Sequence, residues 1–193
     1  MKFLLKKGVI HCDLKPENIL FKNYTCDSVK VIDFGSSSFI DDIGYTYLQT
    51  RPYRAPEMVF GCPFDSAIDI WSLGCILYEL FVKKVLFNFK RTIDNVAKAF
   101  SISKFTNPYI FKNGTNYDKL VYKNMLCQKN HSHINTFDFE TIKPNYNFNL
   151  ETELLAQDCD KDLIDLILRC LEVDPRKRIS VDECLKHPFI QCV

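Results

Sequence analysis

The chain has 193 residues, a formal net charge of +1 and 47% hydrophobic residues, the balance of an ordinary soluble globular protein and not of a disordered or fibrous one. Its basic residues are scattered apart from the short run 176–178, so we expect no nucleic-acid partner. None of the nine cysteines belongs to a C-x-x-C pair, which favours reduced thiols in an intracellular compartment, cytoplasmic or nuclear.

The stretch GVIHCDLKPENIL, residues 8–20, concentrates polar side chains with distinct chemistry. Asp13 can accept a proton, Lys15 can hold a phosphate oxygen, and the amide carbonyl of Asn18 can bind a hard cation. A polar turn would explain this string equally well if it stood alone. Asp33, however, ends a β-rich run, and Gly35 frees the backbone to turn, so a second oxygen ligand is expected beside the first.

Secondary-structure signals are clear in the first half of the chain. NILFK at 18–22 and VKVIDF at 29–34 are predicted to pair as two strands. The aperiodic stretch from about 35 to 65 is longer than most connections, which indicates a functional loop. The run from Asp69 to Val82 is predicted to form a helix that is apolar nearly all round. It is therefore expected to be a buried central helix, and it is too short to span a membrane, so no membrane partner is predicted.

An irregular, partly helical insertion is expected between about 103 and 157. It holds Cys127, His131 and His133, but no fourth ligand stands at zinc-finger spacing, so a solvated loop is favoured over a zinc site.

Helix signals return near the C-terminus. Residues 162–172 place leucine, isoleucine and cysteine at spacings of three and four, which predicts an amphipathic helix. Ser180 and Glu183 form a capping box for a last short helix, which Pro188 is expected to end.

Five motifs in one order resemble the eukaryotic protein kinases. HCDLKPEN resembles the catalytic loop (residues 11–18), and DFG with APE resembles the two ends of the activation segment (residues 33–57). DIWSLGCILYEL resembles the central helix, and DPRKR and HPF resemble C-terminal signatures. The resemblance implies an α+β, protein-kinase-like fold over residues 1–193: a mainly α-helical C-terminal lobe whose short β-hairpin carries the catalytic and metal-binding loops, with a group-specific insertion at about 103–157.

The resemblance also implies ATP and magnesium as cofactors and assigns a role to each matching position. The catalytic residues would be Asp13, which orients the attacking hydroxyl and accepts its proton, Lys15, which neutralises the γ-phosphoryl group, and Thr50, which bonds toward both. Asn18 and Asp33 would hold magnesium. Nucleotide binding would involve Lys15, Asn18, Asp33 and also Leu20, which lies under the adenine ring in the family.

Other matches imply structural roles. His11 and Phe34 resemble members of the stacked apolar spine of kinases. Asp69 would bond backbone amides of the catalytic loop. Glu57 and Arg178 resemble the family's buried ion pair, whose members depend on each other because a lone buried charge is costly.

YTYLQTRPYRAPE is similar to the group of MAP kinases, cyclin-dependent kinases and dual-specificity tyrosine-regulated kinases, and HCDLKPEN and DFGSS are closest to the last family. The resemblance implies that Tyr47 is phosphorylated and that Arg51 and Arg54 bind its phosphate. Lys15 implies protein substrates with serine or threonine, leaving dual specificity and a following proline open. Pro52 stands where these relatives commonly have an aromatic residue.

No G-x-G-x-x-G and no V-A-I-K-like strand precede residue 11, so we expect the N-terminal lobe to be absent from this chain. Three readings stay open: a serine/threonine kinase whose smaller lobe has been lost or lies elsewhere, a non-catalytic pseudokinase-like module that binds a separate lobe or another partner protein, and an unstable remnant. In each, we expect an exposed upper face of Ile10, Leu20, Ile32 and Phe34, and further exposure at Ile70, Leu73 and Leu77.

Overall fold

A computed structural model describes residues 1–23, 28–42, 48–105, 107–120 and 148–192. Its strands are β1 (Val9–Ile10), β2 (Ile19–Phe21), β3 (Val29–Val31) and β4 (Ser38–Phe39). Its helices are α1 (Lys2–Lys6), α2 (Pro56–Phe60), α3 (Ala67–Val82), α4 (Thr92–Ile102), α5 (Leu150–Leu155), α6 (Lys161–Cys170), α7 (Val181–Leu185) and α8 (Pro188–Gln191). Short 3₁₀ turns cover Pro16–Asn18, Arg51–Tyr53 and Pro108–Phe111.

Two short antiparallel pairings organise the N-terminal part. The predicted hairpin is confirmed, with Ile19 opposite Val31 and Phe21 opposite Val29. The second pairing, between β1 and β4, was not predicted and sets Ile10 opposite Ser38. Residues 11–18 leave β1 and enter β2, and residues 32–37 join β3 to β4. The two pairings therefore bring these two loops side by side.

The exposed apolar side chains near the two strand pairings include three of the four that were expected. Six apolar side chains are between 37% and 64% exposed: Leu20, Phe21, Val29, Ile32, Phe34 and Phe39. We call these six the apolar face. Ile10 was expected among them, which was wrong, because successive strand residues alternate and Ile10 points into the core while Val9 does not.

Helix α3 is the centre of the fold, as predicted, and begins two residues before Asp69. The amphipathic helix predicted at 162–172 is α6, which packs on α3. Gly74 permits their close approach, since a Cβ there would lie 2.8 Å from the Cβ of Cys170. The expected exposure of Ile70 is wrong, because Met1, Leu5 and several core residues pack in the same cluster.

The middle of the chain departs furthest from the prediction. The stretch at 35–65, expected to be a loop, contains α2, which starts at Pro56 and ends where Gly61 adopts φ +69°. Helix α4 was not predicted at all. Of the insertion expected at 103–157, residues 121–147 lie outside the described ranges, and with them the candidate zinc residues Cys127, His131 and His133. Before that gap, Phe111 stacks on Phe60 of α2 at 4.6 Å between ring centroids.

The C-terminal capping box is confirmed at α7. Ser180 Oγ accepts the N–H of Glu183, and the Glu183 carboxylate accepts the N–H of Ser180 at 2.8 Å. Pro188 does not end this helix, which stops at Leu185. It opens α8 instead, at the first position, where a missing N–H costs no hydrogen bond. Within the described ranges, no helix is long and apolar enough to cross a bilayer.

Candidate active site

The Asp13 carboxylate is held by three donors from two segments of the chain. Its Oδ1 accepts the N–H of Thr50 at 2.7 Å and the Thr50 hydroxyl at 2.8 Å. Its Oδ2 accepts Lys15 Nζ at 2.7 Å, and Lys15 also donates to Thr50 Oγ1 at 3.1 Å. The predicted bond from Thr50 toward Asp13 and Lys15 is therefore present, and it fixes a carboxylate, an ammonium and a hydroxyl in one small volume.

Electrostatics keep this pair charged at neutral pH. Burial acts to raise the pKa of Asp13, but the hydrogen bonds from Lys15 and Thr50 outweigh it, so the pKa lies below its ordinary value. The hydrogen bond to Asp13 raises the pKa of Lys15. Asp13 is thus an anion that can accept a hydrogen bond from an incoming hydroxyl, and Lys15 is a cation beside it.

Asn18 and Asp33 form an oxygen-rich edge next to this cluster. The Asn18 amide group donates to the Asp13 carbonyl at 2.8 Å, and no described residue donates to its Oδ1. The N–H of Ile32 bonds the Asn18 carbonyl at 2.9 Å, which brings the exposed Asp33 alongside. One amide oxygen and one carboxylate suit magnesium, which usually takes one or two protein oxygens and completes its octahedron with water and phosphate.

Asp33 sits in a backbone conformation that aims its side chain into the turn. Its φ is 62°, and its Oδ1 accepts the N–H of Gly35 at 3.2 Å. The described residues contain no group of three or more His, Cys, Asp or Glu arranged to hold a metal by themselves. Asn18 and Asp33 would hold magnesium only together with other ligands, such as water and phosphate oxygens.

Asp69, at the start of α3, anchors the loop that carries Asp13. Its carboxylate accepts the N–H groups of His11 at 2.8 Å and Cys12 at 3.0 Å, as predicted. These bonds hold Cys12 at φ 63°, a left-handed conformation that is costly for a residue other than glycine. Burial also raises the pKa of the Cys12 thiol to about 12, so this thiol stays protonated and unreactive.

His11 links the two loops through both ring nitrogens. The N–H of Asp13 donates to Nδ1 at 3.2 Å, which makes Nδ1 the acceptor and leaves Nε2 to donate to the carbonyl of Ile32 at 3.0 Å. The ring also meets Phe34 edge to face at 5.0 Å. The expected contact between His11 and Phe34 is present, while Leu20 lies on the apolar face.

Gln49 is a residue of the site that the sequence reasoning missed. Its buried side chain donates to the carbonyl of Ile68 at 3.0 Å and to Ser72 Oγ at 2.9 Å, and it accepts the N–H of Ala55 at 3.0 Å. The first two bonds tie the segment before Thr50 to α3, and the third ties it to the residue that caps α2. A lone glutamine in an aperiodic stretch gives no sequence signal, because any polar residue fits a solvated loop.

The comparison with known proteins decides the family. The family model for the protein kinase domain matches residues 1–190. The chain belongs to the protein kinase family.

Relatives of this kinase chain come from several eukaryotes. It is 37% identical over 191 residues to dual specificity tyrosine-phosphorylation-regulated kinase 2 of Drosophila melanogaster, covering 99% of this chain and 26% of that protein. It is 36% identical to the probable serine/threonine-protein kinase dyrk2 of Dictyostelium discoideum, over 98% and 20% of the two chains. It is 34% identical to human dual specificity tyrosine-phosphorylation-regulated kinase 4, over 98% and 35%. The kinase chain thus spans between a fifth and about a third of these relatives' length.

The buried ion pair expected of a kinase is present. Arg178 donates to both carboxylate oxygens of Glu57, at 2.6 and 2.9 Å, and its side chain is fully buried. The same guanidinium donates to the carbonyls of Ala67 and Glu172 and lies 5.1 Å from the centre of the Trp71 ring. It therefore joins the end of the activation segment to α3 and to the C-terminal part of the fold.

The arginines expected to bind a phosphotyrosine differ in their surroundings. Tyr47 lies outside the described residues, so its pairing stays a prediction. Arg54 donates to the carbonyls of Leu48 and Gln49, so part of its hydrogen-bonding capacity holds the kinase activation segment. Arg51 is exposed and donates to the Lys90 carbonyl at 3.1 Å.

Replacing Thr50 with valine is expected to raise the pKa of Asp13 toward its ordinary value, because one of its three donors is lost. The depressed pKa stabilises the fold above the unfolded-state pKa, and this contribution disappears as the pH falls through the folded-state value. A ¹³C NMR titration of the Asp13 carboxyl would measure the change. Thr152→Val, at an exposed threonine of α5, should leave the Asp13 titration unchanged. If Thr50→Val gives the same titration curve as the unmodified protein, the hydrogen bond assigned between the Thr50 hydroxyl and Asp13 is contradicted.

Proposed function

We propose that this chain supplies the larger half of a serine/threonine protein kinase active site, which transfers the γ-phosphoryl group of ATP to a protein hydroxyl. The observation that carries the proposal is the Asp13 carboxylate held by Thr50 and Lys15 in one hydrogen-bonded cluster. Phosphoryl transfer needs positioning and charge neutralisation more than covalent help from the protein, and this cluster offers both.

In the proposed reaction, Asp13 accepts a hydrogen bond from the substrate hydroxyl and takes its proton as the new phosphate ester bond forms. The bond between the γ-phosphorus and the bridging oxygen of ADP breaks in the same displacement. Lys15 faces the oxygens of the moving group. Asn18 and Asp33 would hold magnesium, which when bound neutralises charge on the phosphates.

The finer parts of the proposal rest on family likeness. Lys15 supports serine and threonine as acceptors, and the relatives named dual-specificity kinases support additional tyrosine phosphorylation, with Tyr47 as the proposed site. A preference for proline after the acceptor would involve Arg51 and Arg54. An intracellular location is supported by the free thiols of the described cysteines.

Thermal unfolding in the presence of nucleotide tests the half-site. ATP should raise the unfolding midpoint of the 193-residue chain only with magnesium, because Asn18 and Asp33 reach the phosphates through the metal. At a ligand concentration about 100 times Kd, the free energy of unfolding rises by about 2.7 kcal/mol, which raises the midpoint by roughly 5–10 °C for a chain of this size. Asp33→Asn should abolish the rise, and Asp41→Asn, at an exposed aspartate after β4, should preserve it.

The apolar face favours a second candidate function, a non-catalytic module that binds a protein partner. Six exposed large apolar side chains on the two strand pairings and the loop that joins them are typical of an interface. This alternative predicts no magnesium-dependent rise in a cooperatively folding chain. It also predicts that Phe21→Ser and Phe39→Ser reduce association of the chain with its protein partner in sedimentation experiments. Phe3→Ser, at an exposed position in α1, should not reduce it.

A further inference from the structure

A cleft of about 320 Å³ lies on elements that take no part in the site around Asp13. One wall is the C-terminal end of α4 with the turn that follows it, 101–104. The opposite wall is the start of α5 with the residues before it, 148–151, and the end of α6 with Glu172 and Lys177 closes the cleft. We call it the basic cleft.

Apolar side chains form the floor of the basic cleft. They are Ile102, Phe148, Leu150 and Leu168. Phe148 is fixed from the α4 side, because Ser101 Oγ donates to its carbonyl at 3.3 Å and Lys98 Nζ lies 4.0 Å from the centre of its ring. Ile102 and Leu150 are buried, so Phe148 and Leu168 supply the apolar surface that can receive a side chain.

Three exposed cations surround this floor: Lys104, Arg169 and Lys177. Within the part of the chain that the structure describes, none of them forms an ion pair within 4 Å. Two carboxylates, Glu151 and Glu172, also line the cleft. One oxygen of Glu172 accepts the N–H of Asp174 at 3.0 Å. The rim thus carries an excess of positive charge.

Nearby acidic groups outside the cleft do not cancel this charge by direct pairing. Asp174, whose pKa is lowered by its hydrogen bond with Arg176 and in part by the charge of Lys177, is paired with Arg176 at 2.8 Å. Glu183, whose pKa is lowered by its hydrogen bonds with Ser180 and in part by the charge of Arg169, accepts the N–H and hydroxyl of Ser180. As far as the described ranges extend, the three rim cations therefore keep their donors for a ligand.

A buried hydroxyl in the wall lacks a partner. Ser103 is one of the residues that line the cleft, and its Oγ is shielded from solvent and has no hydrogen bond to any described residue. Buried polar atoms in folded proteins almost always find a partner, and an unpaired one calls for a water molecule or a ligand. This hydroxyl can donate to a carbonyl group that enters the cleft.

We propose that the basic cleft binds an acidic peptide segment of a partner protein. One apolar side chain of the peptide lies on the floor, flanking carboxylates reach the three rim cations, and a main-chain carbonyl accepts the Ser103 hydroxyl. A small inorganic anion would leave the apolar floor uncovered, and a purely apolar peptide would leave the cations unused. The combination of both surfaces therefore selects an acidic peptide with an apolar anchor.

Lys104 supports the choice of a charged ligand and provides a sharp test. It follows the end of α4 with φ 52°, a left-handed conformation in which glycine is the favoured residue. A lysine there weakens the fold, and in the proposal its ammonium contributes to binding. Lys104→Gly is accordingly expected to raise the unfolding midpoint by a few degrees while weakening peptide binding. A purely structural role predicts no effect on binding.

Fluorescence anisotropy with the 193-residue chain tests the proposal. The probe is a fluorescein-labelled peptide with leucine between two acidic pairs, Glu-Asp-Leu-Asp-Glu. Arg169→Glu should weaken its binding by about tenfold, since two charges change at the rim. Lys161→Glu makes the same charge change at the other end of α6 and should alter binding by less than about twofold. Ser103→Phe, which adds bulk at the cleft wall without changing charge, should weaken binding as well.

Several results would overturn the proposal. Equal losses from Arg169→Glu and Lys161→Glu would mean that only the overall charge attracts the probe. Binding that survives replacement of the peptide leucine by serine, or that inorganic phosphate displaces completely, would make the cleft a simple anion site. Circular dichroism of each variant separates these outcomes from unfolding. Because the readout is binding, the result does not depend on whether the proposed kinase activity is found.

Discussion

Glu57→Gln is expected to lower the free energy of unfolding by about 3–5 kcal/mol, the largest effect of any single substitution considered for this chain. The substitution removes the negative charge that compensates a fully buried guanidinium. Glutamine keeps the size of the side chain and one acceptor oxygen, so the loss measures the stranded charge and not a cavity. Urea denaturation followed by circular dichroism would give the difference.

Arg178 cannot move to water when its partner is neutralised. Its N–H groups also hold the carbonyls of Ala67 and Glu172, at 2.9 and 2.8 Å, and it lies over the Trp71 ring. Exposing the charge would break these bonds as well. For this reason we expect the variant to lose stability throughout the fold instead of relaxing locally.

An exposed pair, Lys2 and Asp182, supplies the matched control. Its N···O distance is 2.8 Å, similar to that of the buried pair, but its side chains are 49% and 62% exposed. Asp182→Asn should cost far less than Glu57→Gln, because water solvates the lysine charge that remains. Replacing Glu57 and Arg178 together by methionine should recover much of the loss. Equal effects of Glu57→Gln and Asp182→Asn would contradict the argument from burial.

Features that short-range chemistry determines were predictable from the sequence. The capping box needs only Ser180 and Glu183 three positions apart, and the pairing of β2 with β3 needs only two β-rich runs close together. The residues of the candidate site were also found, because five motifs in a fixed order carry more information than any one of them. Their mutual contacts followed from the family resemblance and not from spacing.

What the sequence did not predict depends on contacts between distant segments. Helix α4 has Arg91 at its N-cap position, with no side-chain cap, and its buried face includes the polar Asn95, so neither end signal nor period was clear. Ile10 is buried by a strand pairing that no local rule specifies. Gln49 matters only because three partners from α3 and the activation segment surround it.

Asp13→Asn is expected to reduce phosphoryl transfer by about 10²–10⁴-fold, measured in a form of the protein that phosphorylates a peptide with ATP and magnesium. The amide keeps an oxygen that can accept from Thr50, but it cannot take the substrate proton. Its NH₂ group also meets Lys15, which has no acceptor to offer. Nucleotide binding should change little, because Asn18 and Asp33 are untouched.

The pH dependence of the unmodified protein separates this role from general damage. Lys15 and Thr50 keep the pKa of Asp13 below its ordinary value of about 3.9. Protonation of Asp13 should therefore slow phosphoryl transfer only below about that pH. Asp41→Asn should match the unmodified protein in both rate and nucleotide affinity. If Asp13→Asn retains turnover within a factor of about ten, the carboxylate is not the proton acceptor. The cluster with Thr50 and Lys15 would then serve to position the loop alone.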